Sequence, residues 1–273
     1  PGQPNPTAPI ETISSVFTFT GTETDYRMGV YEITNDQWSK FEASLGVPVN
    51  GSAPWAYGKD ADPLPDRPTN MVSWYEAAQF VNWLNTSTNH QPAYRFTGTQ
   101  GTNEYTFRSW PVDQRSPESG LRHKDAFYFL PSEQQWAKAA FWNGENLQTY
   151  ATKPGESLHK GDGVSGTGWN YNRYPGNPWK VGGGSEELNG TYDMMGNVVE
   201  WTDSVGGTGM PWISCPGGHA SSDHWQLDSA LGTAVRAYVQ EGHIGFRVAS
   251  VPEPATMALL GLGGLALISR RRR

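Results

Sequence analysis

The chain has 273 residues, with 27 acidic and 20 basic side chains and a formal charge of −7, long enough for one large domain or two small ones. Four of the 20 basic residues are the terminal run Arg270 to Arg273, so the remainder is acidic, and nucleic acid is excluded as a partner for that surface. Gly and Pro, 32 and 20 residues, stay below the roughly 25–30% that marks low-complexity chains. With 12 Trp, 12 Tyr and 10 Phe, the composition predicts a folded, loop-rich domain anchored by aromatics.

Residues 1–15, rich in Pro, Gly and Thr, lack the charged-then-apolar order of a signal peptide and read as a flexible leader. Three segments then open with a Ser or Thr followed three residues later by Glu or Gln, the pattern in which each side chain satisfies the other's backbone N–H. They begin at Thr34, Ser73 and Ser132. After each, apolar residues recur at helical spacing, among them Trp38, Phe41 and Leu45, then Trp74, Ala77, Val81 and Leu84, then Trp136, Ala139 and Ala140. Three short helices are predicted, each anchored by a Trp that packs in the core.

Tyr94, Phe96, Tyr105 and Phe107 flank a Gly- and Thr-rich stretch with a spacing of two, which predicts a hairpin followed by an irregular excursion to about Lys124. Residues 142–189 show almost no periodicity and predict long loops. Short strands are expected at 193–201, 212–215, 233–239 and 245–251. One cysteine, Cys215, allows neither an internal disulfide nor a Cys-rich zinc site. No repeat or linker interrupts the body, which reads as one α+β domain.

The last residues follow a different order: Val251-Pro252-Glu253-Pro254, an uncharged run from Ala255 to Ser269, then Arg270 to Arg273. Fifteen helical residues reach about 22 Å, short of the roughly 30 Å hydrocarbon core. The Arg cluster should stay cytoplasmic and place the acidic body outside. The segment 251–273 resembles the PEP-CTERM sorting signal of exported bacterial proteins. That resemblance implies an exosortase-type processing enzyme acting near Pro252, Glu253 and Pro254, with Arg270 and Arg271 in the basic stop. It also implies membrane contact through this C-terminal apolar helix before processing.

Across residues 16–250, five blocks occur in one order. They are Met28-Gly-Val-Tyr-Glu-Ile-Thr-Asn35, Arg67-Pro-Thr-Asn-Met-Val-Ser-Trp74, Phe129-Leu-Pro-Ser-Glu-Gln-Gln-Trp136, Tyr192-Asp-Met-Met-Gly-Asn-Val-Val-Glu-Trp201 and Gly245-Phe-Arg-Val-Ala249. In this order they resemble the formylglycine-generating enzyme, or sulfatase-modifying factor, family. The resemblance implies a C-type-lectin-related α+β fold, loop-rich with few short strands and helices. It also implies an oxidase that converts a sulfatase cysteine to formylglycine with copper held by two thiols. The aligned thiol positions are Ser222 and Leu227, and a hydroxyl and an alkyl group are no ligands for Cu(I). Copper is therefore not expected, and a pseudoenzyme is.

One calcium site is expected from the same resemblance, through side-chain oxygens of Asp193 and Glu200 and the carbonyls of Gly196 and Val198. A physical argument runs beside it: Glu200 lies among Val198, Val199 and Trp201, where a buried carboxylate needs a cation. The competing partner for that carboxylate is a core arginine such as Arg247. A second calcium site would begin at Asn170 and Tyr171, but its acidic position falls at Arg173. A ligand-binding surface is expected at His219, Ser222, Asp223, His224 and Trp225, beside the Gly217-Gly218 turn, for a peptide or a glycan. Ser222-Asp223-His224 is not a hydrolase triad, because chain neighbours do not converge on one reacting atom. His90, His123, His159 and His243 read mostly as surface loop residues.

The sequence therefore predicts an exported protein of the cell envelope, cell surface or extracellular matrix of a Gram-negative-type bacterium, acting as a binding or structural module. The alternatives are an oxidoreductase of the formylglycine-generating type and a partner of exported sulfatases.

Overall fold

The computed structural model describes residues 15–17, 25–45, 64–100, 102, 104–164, 166–172, 177–206, 212–219, 222, 224–228 and 232–252. The expected C-terminal apolar helix, Glu253, Pro254, Asp223, Arg270 and Arg271 lie outside them. Among the described residues, no helix is long and apolar enough to cross a membrane.

Strands β1 (Ser15–Phe17) and β2 (Tyr26–Met28) pair antiparallel. Helix α1 (Asn35–Leu45) follows Thr34, whose N–H and hydroxyl face the Gln37 amide oxygen while its Oγ1 accepts from the Gln37 N–H. Helices α2 (Trp74–Ser87) and α3 (Glu133–Phe141) start with complete reciprocal caps at Ser73–Glu76 and Ser132–Gln135. All three predicted helices are present for the predicted reason: orphan N–H groups at each start have a local side-chain acceptor.

The hairpin forms as β3 (Phe96–Thr97) and β4 (Thr106–Phe107), with Phe96 opposite Phe107. The stretch expected to be irregular holds a second hairpin, β5 (Arg115–Ser116) and β6 (Ser119–His123). Its apolar alternation is weak because β6 buries Arg122 and His123 beside Leu121. Strand β7 (Tyr128–Phe129) leads into α3.

No described helix or strand lies between α3 and β8 (Val199–Glu200), as the aperiodic sequence predicts. The strand expected from residue 193 is confined to those two residues because Asp193, Gly196 and Asn197 take left-handed φ values of 60°, 93° and 59°. Strands β9 (Trp212–Pro216) and β10 (Gly232–Arg236) form a ribbon with Cys215 opposite Thr233. The expected strand 245–251 divides into β11 (Ile244–Gly245) and β12 (Ala249–Ser250). The residues between them bond elsewhere, with Phe246 and Val248 carbonyls accepting from Ile33 and Gly29.

The main sheet has the order β1-β2-β12-β7, and β11 pairs parallel with β8. Two core clusters result. One joins α1 and α2 through Trp38, which stacks on Phe80 at 5.8 Å and meets Phe246 edge-on at 6.0 Å. The other gathers Trp136, Met194, Met195, Leu227, Trp169 and Tyr171 around α3. Trp38, Trp74, Trp136 and Trp201 are all buried, so these aromatics serve packing, as predicted.

Candidate functional site

Arg247, between β11 and β12, is fully buried and uses all its donors. Its Nε donates to Glu200 Oε2 at 2.7 Å and its Nη2 to Glu200 Oε1 at 2.6 Å. Nη1 donates to the Gly29 and Val30 carbonyls, and Nη2 also to that of Tyr192. The Trp136 indole donates to Glu200 Oε2 at 2.7 Å. The cation that buried Glu200 demands is thus Arg247, the competing partner read from the sequence.

Three further buried carboxylates sense this centre. Asp193 accepts from the Trp179 indole at 3.0 Å and the Gly182 N–H at 2.6 Å. Glu187 accepts from Thr191 and from the Met194 and Met195 N–H groups. Glu32 accepts from Asn197 Nδ2 at 2.9 Å through Oε1. Burial raises Asp193 to about 6 and Glu187 to about 7. Burial and the charges of Asp193 and Glu200 raise Glu32 well above the usual carboxylate range. Burial opposes the charge on Arg247, but Glu200, Glu32 and Glu187 outweigh it and raise its pKa.

Four carboxyl groups thus share one guanidinium, and burial favours the protonated forms of Glu32, Glu187 and Asp193. Two buried acceptors, Glu32 Oε2 and Asn170 Oδ1, have no hydrogen-bond partner. They belong to one chain of side chains, since Asn170 Nδ2 donates to Asn197 Oδ1 at 2.9 Å and Asn197 to Glu32. Unpartnered hard oxygens on this chain of side chains are donors of the type a hard cation takes. Glu200 already spends both oxygens on Arg247 and Trp136. Among the described residues, no three His, Cys, Asp or Glu side chains are grouped to hold a metal by themselves, so such an ion would need amide and carbonyl oxygens as well.

After β9 the chain turns at Gly217 and Gly218, with φ of 102° and 66°. A Cβ on Gly217 would lie 3.1 Å from the Trp136 ring, and one on Gly218 only 2.7 Å from Leu227 Cδ2. Both positions therefore require glycine. Ser222 is buried, its Oγ accepting from the His219 N–H at 2.8 Å while its own N–H donates to the His219 carbonyl at 2.8 Å. Leu227 ends the 3-10 turn His224–Leu227 and packs in the second core cluster.

Of the expected ligand surface, His219 and Ser222 are brought together. His224 and Trp225 are placed on the adjoining turn by their backbone only. The His219 ring lies 4.6 Å from that of His243, tilted by 36°. Burial, then the proximity of His243, lowers His219 to about 4, so it is neutral at pH 7. Glu241 Oε2 is 3.0 Å from His243 Nε2. The meeting of His243 with His219 carries no local sequence signal, while His243 itself lies on a turn with its side chain 42% exposed, as a surface loop residue. His123 is not a surface residue: it is buried against Trp110, ring centres 4.7 Å apart.

The chain matches the sulfatase-modifying factor enzyme 1-like domain over residues 19–251. It belongs to that family. Residues 250–273 match the PEP-CTERM protein-sorting motif, which marks the protein for export to the cell envelope or surface and for exosortase-type processing. A curated relative from Paenibacillus barcinonensis, described as the chaperone protein LppX, is 28% identical over 202 residues. The match covers 66% of this chain and 62% of that relative, so the chain spans less than two thirds of its length. Among solved structures, Treponema denticola variable protein 1 superposes with a TM-score of 0.57 at 20% identity, covering 88% of this chain and 92% of that one. The structure of CarF gives 0.60 at 20% identity, covering 88% and 96%. PvdO from Pseudomonas aeruginosa gives 0.57 at 16% identity, covering 84% and 81%. These likenesses show a shared fold.

Proposed function

We propose that this family member is an exported binding or structural module, of the cell envelope or extracellular matrix of a Gram-negative-type bacterium, without the family's oxidase chemistry. One observation carries the reading: the chain holds a single cysteine, Cys215, and a two-thiol copper site needs two. Support comes from the positions that the resemblance aligns with those thiols. Leu227 packs in the core and Ser222 holds a turn, so both have structural work in place of ligation.

The ligand surface of this reading is His219, Ser222, Asp223, His224 and Trp225, and the ligand a peptide or glycan. A calcium ion is part of it, held by Asp193, the Gly196 and Val198 carbonyls and, in view of its unpartnered oxygen, Glu32. Bound there, the ion would favour the ionised forms of Glu32 and Asp193, which burial opposes. Before processing, the C-terminal segment holds the protein at the membrane.

The deciding experiment loads the full chain with copper, adds a sulfatase-type cysteine peptide and oxygen, and looks for formylglycine by mass spectrometry. No product is expected from folded protein. Product that disappears in Cys215→Ser would overturn the reading. A second reading, a partner of exported sulfatases, is favoured by the description of the Paenibacillus relative as a chaperone. Its test is whether the chain raises the yield of active sulfatase on co-expression.

A further inference from the structure

A cleft of about 530 Å³ opens beside the second core cluster, within the size range of small-ligand sites. Its firm wall is Tyr150, Leu158 and Tyr171, all packed on that cluster. Tyr171 is buried at the back of this wall, while Tyr150 and Leu158 are half-buried and keep part of their surface toward the cleft. Thr152, Ser157 and Asn172 add hydroxyl and amide groups, and Glu156 and Lys160 add one charge of each sign.

The backbone around this wall is fixed before any ligand arrives. Gln148 Nε2 donates to the Tyr150 and Thr152 carbonyls at 2.5 and 2.7 Å. The Leu188 N–H donates to the Ala151 carbonyl, and the Ala151 N–H to Met195 Sδ at 3.1 Å. Asn172 stands at φ 49° with its N–H on the Ser222 carbonyl at 2.8 Å. That bond joins the cleft to the loop that carries His219 and Ser222. Such preorganisation lowers the ordering cost of binding.

We propose that this cleft binds a short neutral oligosaccharide. The inference rests on the binding-module reading and names its ligand class and a site for it. The half-buried Tyr150 ring and Leu158 offer apolar surface of the kind that packs against a sugar ring, while hydroxyl, carboxylate and amide groups suit its hydroxyls. Opposite charges on Glu156 and Lys160 disfavour a polyanion and a polycation alike. A peptide is the weaker fit, since Leu158 is the single aliphatic wall and no described strand borders the cleft to accept an added strand.

The test is isothermal titration of the full chain with cellotetraose, chitotetraose and maltotetraose. At least one should bind in the millimolar range or tighter, with affinity falling about tenfold in Tyr150→Ala and measurably in Glu156→Ala. Glu156 is exposed, so the second variant decides the matter should Tyr150→Ala fail to fold. Absence of binding by all three sugars, or binding indifferent to both substitutions, would overturn the inference. A peptide that binds and is lost in His219→Ala but kept in Glu156→Ala would overturn it while leaving the binding-module reading intact. Formylglycine production would overturn that reading itself.

Discussion

Glu200 and Arg247 form a bidentate ion pair with no solvent exposure on either side chain. Its guanidinium also ties together the carbonyls of Gly29, Val30 and Tyr192, so one side chain joins three separate family blocks. Arg247→Met should strand Glu200 as an uncompensated buried charge. Denaturant unfolding should show a loss of about 3–5 kcal/mol; a loss below about 1 kcal/mol would contradict the pair's structural role.

Buried carboxylates make stability depend on pH in an unusual direction. Burial raises Glu76 in the α2 cap to about 7 and Asp203 to about 6. Each binds its proton more tightly folded than unfolded, so its contribution is fully present below the unfolded values near 4.5 and 3.8. It is lost as pH rises through the folded values. The melting temperature should therefore fall between about pH 4 and 7, and Glu76→Gln should flatten that fall.

Calcium should stabilise the fold by holding Glu32 and Asp193 in their ionised forms, which burial opposes. Adding it to chelator-treated protein should raise the melting temperature, by the equivalent of about 2.7 kcal/mol at a hundredfold excess over Kd. Glu32→Gln should reduce the response, since Glu32 Oε2 is an unpartnered buried acceptor. An identical melting curve with chelator and with calcium would count against the ion.

Gly218→Ala should destabilise through two effects at once, a left-handed φ of 66° and a Cβ placed 2.7 Å from Leu227 Cδ2. Loss of about 1–3 kcal/mol is expected. Gly144→Ala, at φ 101° with nothing within 4 Å, would test backbone strain alone. A Gly218→Ala protein as stable as the parent would contradict both effects.

What was legible in the sequence was whatever local chemistry settles. Ser73 and Ser132 announced their helices because cap and partner lie three residues apart, and Phe96 and Phe107 announced a hairpin by alternation. The β5–β6 hairpin was hidden because its buried residues include Arg122, whose burial depends on Glu118, Gln135 and Asp203. Glu200 could be recognised as buried from its apolar neighbours. Glu187 and Glu32 could not, since their place in the same cluster comes from the fold bringing distant segments together. The meeting of His243 with His219 was missed for the same reason: it arises only because the β9–β10 ribbon doubles the intervening chain back.

The sorting segment leaves the body directly after β12, which is held by β2 on one side and β7 on the other. Val251 adds one more bond, its N–H donating to the Phe127 carbonyl at 2.9 Å. A protein tethered through this segment would therefore take mechanical load first on an inner strand gripped along both sides. Drag on the body would then meet two short ladders together rather than one free edge.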